Sequence, residues 1–206
     1  RQAASTSLHM RRLLLLSLVA VPLASQPRTA DPIARGLRLD QFPRVIPLAD
    51  RVYGYEEIRQ PGFTTVSLFV VGDNGVLIAD GQGSTAATRR MLAEIAKVTP
   101  KPIRWYVVGS DHGDHTAGNS ELPAGITWIV HPTSRAQLVR DSTSAAGASP
   151  PRIVVVPPAA MSGDRQRLDL GGISVDVLFL GRAHTGGDLV VHLPRERILF
   201  MSEAYL

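Results

Sequence analysis

Three of the six histidines of this chain lie in short glycine-containing segments that follow apolar runs. His112 and His115 flank Asp114 in the segment 109–116, directly after the apolar run 103–108. Two imidazoles and a carboxylate within four positions are the ligand types that a zinc-like divalent ion takes when no thiolate is present. A solvated polar turn is the alternative, because His and Asp are common in turns. The segment is therefore a candidate metal site.

The third of these histidines, His184, follows the same pattern much later in the chain. It lies in the glycine-rich segment 181–188, again just after a predicted strand. Loops at the strand ends on one rim of a layered fold bring together residues that are distant in sequence. We therefore expect His184 to join the candidate metal site. The chain contains no cysteine, so any metal ligand must come from His, Asp, Glu or water.

Short strands are the elements that must position these side chains. Apolar and β-branched runs predict strands over 65–71, 76–79, 103–108, 126–130, 165–170, 173–180, 189–193 and 198–201. The turn sequences at 72–75 and 171–172 predict that two pairs of these strands form hairpins.

Two helices are predicted between the strands. Ser84 predicts the N-cap of a helix that ends near Lys97, because Pro100 lies beyond it. A shorter helix is predicted over 134–140, followed by a loop over 141–151. Strands that occur both in hairpins and in alternation with helices predict a mixed α/β layered domain.

The first 25 residues have the pattern of a leader. Met10 is the expected start, Arg11 and Arg12 form a basic segment, and an apolar run over 13–23 follows. This order is typical of a secretory signal peptide, and the run is shorter than the about 20 apolar residues that a membrane-spanning helix needs. We therefore expect an exported protein, periplasmic or secreted, without a stable membrane anchor after cleavage.

Composition limits the remaining function classes. An apolar fraction of 44% over 206 residues is enough for the core of one sizeable domain, which we place at 46–206 after a linker at 26–45. The net charge of +4 would be compatible with nucleic-acid binding. However, three of the arginines that produce this charge lie in the leader, which contains no acidic residue. The other arginines are scattered and only 5% of residues are aromatic, so we expect a small-molecule substrate and no nucleic acid.

Three segments follow one another in an order found in a known superfamily. They are 80–83, 112–119 and 184–188, which read Asp-Gly-Gln-Gly, His-Gly-Asp-His-Thr-Ala-Gly-Asn and His-Thr-Gly-Gly-Asp. In order and spacing they resemble the signatures of the metallo-β-lactamase fold superfamily, over about residues 46–206. The resemblance implies an α/β fold, a four-layer αββα sandwich, with one or two metal ions, usually zinc, at one edge. It also implies that the fold is incomplete at the C-terminus of this chain.

The resemblance also assigns ligands. The superfamily motif His-x-His-x-Asp-His falls on Ser110, His112, Asp114 and His115. A serine thus stands in the place of the first histidine. His184 matches the next ligand, Glu203 stands where a bridging aspartate is common, and the final histidine would lie beyond Leu206.

These assignments imply two unequal metal sites. The first would be formed by Ser110, His112 and His184. Because a hydroxyl is a far poorer zinc ligand than an imidazole, Ser110 would bind an ion only weakly or through water. The second would be formed by Asp114, His115 and the long side chain of Glu203. We therefore predict that the protein binds one metal ion tightly and a second one weakly.

A divalent ion lowers the pKa of a bound water to roughly 7 and polarises a carbonyl oxygen. We therefore predict an exported zinc-dependent hydrolase whose metal-bound hydroxide attacks an amide, ester, lactone or thioester. Asp114 is the predicted catalytic residue, which orients that water or receives its proton, and Asp80 is expected to support the site structurally. The alternative is a non-catalytic metal- or ligand-binding member of the same fold, in which Ser110 has degraded the metal site.

For the other polar residues near the motifs, and for the remaining histidines of the domain, the sequence predicts the following roles. Asp111 is expected to be an exposed loop carboxylate, with a hydrogen bond to a ligand histidine as the alternative. Arg182 and Thr185 could meet an anionic substrate, although a surface position is the default for the arginine. His131 is expected to have a packing or loop role, and His192 to face solvent from a strand.

Overall fold

The structure is a computed structural model that describes residues 29–147 and 153–205. Over these residues the strands form two sheets. The first sheet contains, in spatial order, β1 (Arg44–Ala49), β2 (Val52–Gln60), β3 (Phe63–Val71), β4 (Val76–Ala79), β5 (Ile103–Val107) and β6 (Thr127–Ile129). The second sheet contains β10 (Ile198–Phe200), β9 (Val190–Leu193), β8 (Ser174–Leu178) and β7 (Arg165–Asp169). All neighbours are antiparallel except the parallel pairs β4–β5 and β5–β6.

The helices of the described chain follow the parallel strands. They are α1 (Thr85–Val98) after β4, the single turn α2 (Gly113–Thr116) after β5, and α3 (Pro132–Ala146) after β6. Two short 3-10 helices, Leu39–Gln41 and Asn119–Glu121, complete the helical segments. Parallel pairing brings the carboxyl ends of β4, β5 and β6 to one edge, which is where ligand sites form in such sheets.

Two apolar cores hold the layers together. Between the sheets lie buried side chains of both, among them Leu68, Leu77, Val107, Val177 and Val191. Between the first sheet and α1 lies a second cluster, which includes Phe69, Ile78, Met91, Ile95 and Tyr106. The order of layers is therefore helix, sheet, sheet, and the prediction of a layered α/β domain is confirmed.

Most local predictions agree with the structure. The two hairpins form across 72–75 and across the Gly-Gly pair at 171–172. Ser84 caps α1, because its side chain accepts a hydrogen bond of 3.1 Å from the Ala87 backbone N–H. The helix ends just before Pro100, which has no N–H to continue it.

The helix α3 is longer than predicted at both ends. His131 caps it by accepting a hydrogen bond from the Thr133 N–H at 3.2 Å, and Pro132 suits the first helical position. At the other end, the prediction of a loop over 141–151 is wrong for residues 141–146. Ala145 is buried there, and Thr143 turns its hydroxyl back to the Val139 carbonyl instead of breaking the helix.

The strand β2 has no counterpart among the predictions. Glu56 and Glu57 interrupt its apolar alternation, yet both are buried, because arginines neutralise them. One of these arginines, Arg35, belongs to the predicted linker at 26–45, and β1 begins inside that range at Arg44. The described part of the range therefore contacts the domain.

The predicted leader, residues 1–25, lies outside the described residues. Among residues 29–147 and 153–205, no helix is long and apolar enough to cross a membrane.

Candidate metal centre

Asp80 is the structural centre of the site. It follows β4, is fully buried, and has a positive φ of 61°, a conformation that aspartate tolerates better than most residues. Its Oδ1 accepts the Gly109 N–H at 2.7 Å, and its Oδ2 accepts a hydrogen bond from the Ser202 hydroxyl and lies 3.0 Å from His115 Nδ1. Gly109 is needed here, since a Cβ would lie 2.9 Å from both Asp80 oxygens. Asp80 thus has the structural role predicted for it.

The loop after β5 presents the motif residues at the same edge. The turn α2 is closed by a hydrogen bond of 3.0 Å from the His115 N–H to the His112 carbonyl. This turn directs His115 into the protein, where it is buried, while His112 is exposed and Asp114 half-buried. Because Asp80 fixes Nδ1 of His115, its Nε2 is the atom that faces the other motif residues.

Among the described residues, two groups of side chains could hold a metal ion, and they share Glu203. The first ligand group consists of His112, His184 and Glu203. Glu203 Oε2 lies 3.0 Å from His112 Nδ1 and 3.8 Å from His184 Nε2, and the two imidazole rings meet edge to face at 4.8 Å.

The second ligand group consists of Asp114, His115 and Glu203. His115 Nε2 lies 3.5 Å from Asp114 Oδ2 and 3.6 Å from Glu203 Oε1. In each group the ligand atoms lie within 4.8 Å of one another. The structure therefore brings together all five of the predicted His, Asp and Glu ligands, and Glu203 connects the two groups through its two oxygens.

Ser110 holds Glu203 in this position. Its hydroxyl, fully buried, donates a hydrogen bond of 2.7 Å to Glu203 Oε2 and accepts the His112 N–H at 3.3 Å. The hydroxyl is thus directed at the shared carboxylate. The motif resemblance aligns Ser110 with the first motif histidine and predicts a weak or water-mediated ligand.

The charges of the site favour a cation. Burial opposes ionisation of Glu203, yet hydrogen bonds from His115 and Ser110 lower its pKa to about 2. Burial likewise disfavours charge on His115, but Asp80, Glu203 and Asp114 outweigh it and raise the pKa of this imidazole to about 10. Three carboxylates around one imidazole make an anionic cluster, which attracts positive ions.

Arg59 is a charged neighbour of the site that the sequence did not indicate. Its guanidinium, on β2, donates a hydrogen bond from Nη1 to Asp114 Oδ2. The two residues are 55 positions apart, and a lone arginine near the end of a strand carries no motif.

Some of the polar residues near the motifs have roles other than those expected. The expectation of an exposed Asp111 is wrong: it is buried, and burial raises its pKa. Thr185 is also buried, and its hydroxyl donates a hydrogen bond of 2.7 Å to Asp188. Arg182 is exposed.

The two other histidines of the described residues lie away from the ligand groups. His131 has the expected packing role, because its ring stacks on Phe179 with centroids 3.9 Å apart. His192 lies in β9 and is half-buried where solvent exposure was expected. Neither belongs to a group that could hold a metal ion in the described chain.

A polar cavity of about 420 Å³ opens beside His112. Its lining includes Asp111 and Thr185 on the loop side and Thr133, Gln137 and Arg140 from α3. The site therefore adjoins a space that could receive a small molecule.

Comparison with known proteins first gives a distant relative. No protein-family model matches the chain. Over 138 residues it is 23% identical to the 2,4-dinitroanisole O-demethylase subunit alpha of Nocardioides sp. (strain JS1661). The match covers 66% of this chain and 40% of that protein, so the chain spans less than half the length of this curated relative.

Solved structures are similar over more of the chain. A metallo-beta-lactamase from Pontibacter korlensis superposes with a TM-score of 0.65 over 76% of this chain and 69% of its own, at 20% sequence identity. The chain has the metallo-β-lactamase fold. A second metallo-beta-lactamase, from Erythrobacter litoralis, superposes with a TM-score of 0.56 over 73% of this chain and 66% of its own, at 23% identity. The fold predicted from the motif order is thereby confirmed.

The metallo-β-lactamase fold implies a metal centre, and the residues present fit one. Imidazole nitrogens and carboxylate oxygens are the ligands that zinc takes without thiolates. Each ligand group offers three such atoms close to one another. Buried partners fix the orientation of two of the ligands: Ser110 that of Glu203 and Asp80 that of His115.

Proposed function

We propose that the chain is a metal-dependent hydrolase, with zinc as the metal, that acts on a carbonyl compound such as an amide, ester, lactone or thioester. The observation that carries the proposal is the pair of ligand groups that share Glu203 at the edge of a metallo-β-lactamase fold. A divalent ion held there would activate water as a nucleophile and polarise the substrate carbonyl. Fold alone does not select the reaction, so the proposal rests on these side chains.

The protein residues have separate tasks in this proposal. His112 and His184 would hold one ion and Asp114 and His115 a second, with Glu203 in common. Asp80 keeps Nε2 of His115 directed at the centre, and Ser110 does the same for Glu203 Oε2. Both oxygens of Glu203 are thereby available between the two groups.

Asp114 is the proposed proton acceptor. It is half-buried, it faces His115 Nε2 at 3.5 Å, and it lies in the turn that also carries His112. A carboxylate in that place can orient a water molecule and take its proton. Substrate would enter through the polar cavity beside His112, which Gln137 and Arg140 line.

A substrate panel tests the proposal. The full chain is incubated with chromogenic esters, thioesters, lactones, amides and a β-lactam, before and after treatment with a chelator and after zinc is restored. 2,4-Dinitroanisole belongs in the panel because a relative is named for its demethylation. We expect turnover that the chelator abolishes, that zinc restores, and that His112→Ala lowers by at least about 100-fold. Turnover that is unchanged by the chelator would refute the proposal.

A second candidate is a binding protein with the same fold and no turnover. Ser110 favours it, because this residue replaces a motif histidine and its hydroxyl is directed at Glu203. Such a protein would bind zinc and show no turnover with any member of the panel. For either candidate we also propose export, because residues 1–25 have the pattern of a leader. N-terminal sequencing of the secreted protein tests whether the leader is removed.

A further inference from the structure

Arg59 lies at an irregularity of the β2–β3 hairpin. Ile58 pairs with Thr64 and Gln60 pairs with Phe63, so the register shifts between them and Arg59 is the extra residue on β2. A bulge of this kind re-aims a side chain, and bulges are common beside functional sites. Arg59 is re-aimed across the edge of the sheet towards the loop after β5.

The guanidinium of Arg59 contacts the metal centre at one atom. Its Nη1 donates a hydrogen bond to Asp114 Oδ2, the same oxygen that lies 3.5 Å from His115 Nε2. This oxygen therefore faces the second ligand group and the arginine at once. The guanidinium also lies over the ring of Phe63, 5.8 Å from its centroid, which holds it in place from the other side.

We propose that Arg59 is a competing cation that weakens the binding of a metal ion to the second ligand group. This inference rests on the proposed metal centre and adds a residue that sets the affinities within it. A guanidinium and a divalent ion that contact the same carboxylate oxygen repel each other. The hydrogen bond to the guanidinium also makes that oxygen a weaker ligand for the ion. The side chains of Arg59 and Asp114 are only 35% and 19% exposed, so solvent screens this repulsion incompletely.

The first ligand group does not share this competition. In the described part of the chain, the guanidinium of Arg59 contacts Asp114 and the ring of Phe63, and no hydrogen bond joins it to His112 or His184. In the first group Glu203 takes the place expected for the weak ligand Ser110, and the arginine does not contact this group. The first group therefore binds its ion more tightly than the second.

Zinc titration of the metal-free full chain tests the proposal. Isothermal calorimetry is carried out on the wild type, on Arg59→Gln, and on Arg59→Met, which keeps an apolar stem for packing on Phe63. Arg59→Lys retains the charge, and Arg38→Gln removes an exposed arginine that pairs with Asp40 away from the site. Thermal unfolding without metal identifies any variant that is not folded.

We expect both neutral variants to bind the second zinc ion about tenfold more tightly, the size of effect typical of groups that contact a ligand. The first dissociation constant stays the same, and Arg59→Lys and Arg38→Gln behave as the wild type. Unchanged or weaker binding of the second ion in the folded neutral variants would overturn the inference and leave the proposed metal centre intact. A wild type that binds no zinc would overturn both.

Discussion

Ser110 Oγ donates a hydrogen bond of 2.7 Å to Glu203 Oε2 and so joins the loop after β5 to the segment after β10. The two residues are 93 positions apart. The motif resemblance predicts that each stands where the superfamily pattern has a different residue. A glutamate is longer than an aspartate by one methylene, and the serine hydroxyl is shorter than an imidazole. The pair is therefore matched in size: the carboxylate reaches between the two ligand groups, and the hydroxyl fixes it there.

Ser110→Ala should weaken metal binding without unfolding the protein. Glu203 loses the hydrogen bond that orients Oε2, so we expect zinc affinity to fall about tenfold and the free energy of unfolding to fall by about 1 kcal/mol. Calorimetric zinc titration and urea unfolding measure the two effects. Ser142→Ala is the matched control, because its hydroxyl donates a hydrogen bond to the Val139 carbonyl on the exposed side of α3, away from Glu203. Equal zinc affinity in the two variants would contradict the role given to Ser110.

Ser110→His distinguishes the hydrolase from the binding protein. The imidazole adds a nitrogen next to the first ligand group and removes the hydroxyl from Glu203. If the wild type turns over no substrate of the panel and this variant gains metal-dependent turnover, the result supports the second candidate, a binding protein. Metal-dependent turnover in the wild type rejects that candidate.

Asp80→Asn should disturb the second ligand group through His115. The Gly109 N–H keeps the amide oxygen at the Oδ1 position, so the amide NH2 takes the place of Oδ2 and faces His115 Nδ1. The ring must then accept at Nδ1 and carry its proton on Nε2, where a metal ligand needs a lone pair. We expect the affinity for the second zinc ion to fall by about 10- to 100-fold, with the first dissociation constant unchanged. An equal loss at both ions would contradict the assignment.

Glu56→Gln should lower stability in a pH-dependent way. Burial would raise the pKa of this carboxyl, but a hydrogen bond of 2.7 Å from Thr64 and the guanidinium groups of Arg35 and Arg44 outweigh it and lower the pKa. The folded-state pKa then lies below the unfolded-state value of about 4.3. The stabilisation is therefore complete above that value and is lost as the pH falls through the folded-state pKa.

The measurement for Glu56→Gln is urea unfolding between pH 7 and pH 3. At pH 7 we expect the variant to be less stable than the wild type by about 3 kcal/mol, with a difference that shrinks at the acid end. Glu94→Gln, which breaks a surface pair with Lys97, should change the free energy by less than about 0.5 kcal/mol. A difference for Glu56→Gln that stays constant over the whole range would contradict the pKa argument.

The candidate site could be predicted where its residues are local. His112, Asp114 and His115 lie within four positions of one another after an apolar run, and strand ends at one edge explain why His184 joins them. Arg59 could not be predicted, because its contact with Asp114 depends on a register shift in a hairpin, and no pattern in the sequence fixes that shift.

The fold could be predicted where apolar periodicity is undisturbed. The strand β2 was missed because Glu56 and Glu57 break its pattern, and only their arginine partners, far away in sequence, allow them to be buried. The prediction that Asp111 is exposed is wrong for a related reason. The sequence shows an acidic residue in a turn, and the packing of α3 that buries it is a tertiary feature.

The zinc content of the purified full chain after extensive dialysis tests the central claim that Glu203 is shared by two ligand groups. We predict about one equivalent of zinc in the wild type, because the first group holds its ion and the second loses it. Glu203→Ala should retain almost none, since both groups lose a ligand, whereas His192→Ala should match the wild type. No zinc in the wild type, two equivalents held through dialysis, or wild-type content in Glu203→Ala would each contradict the account.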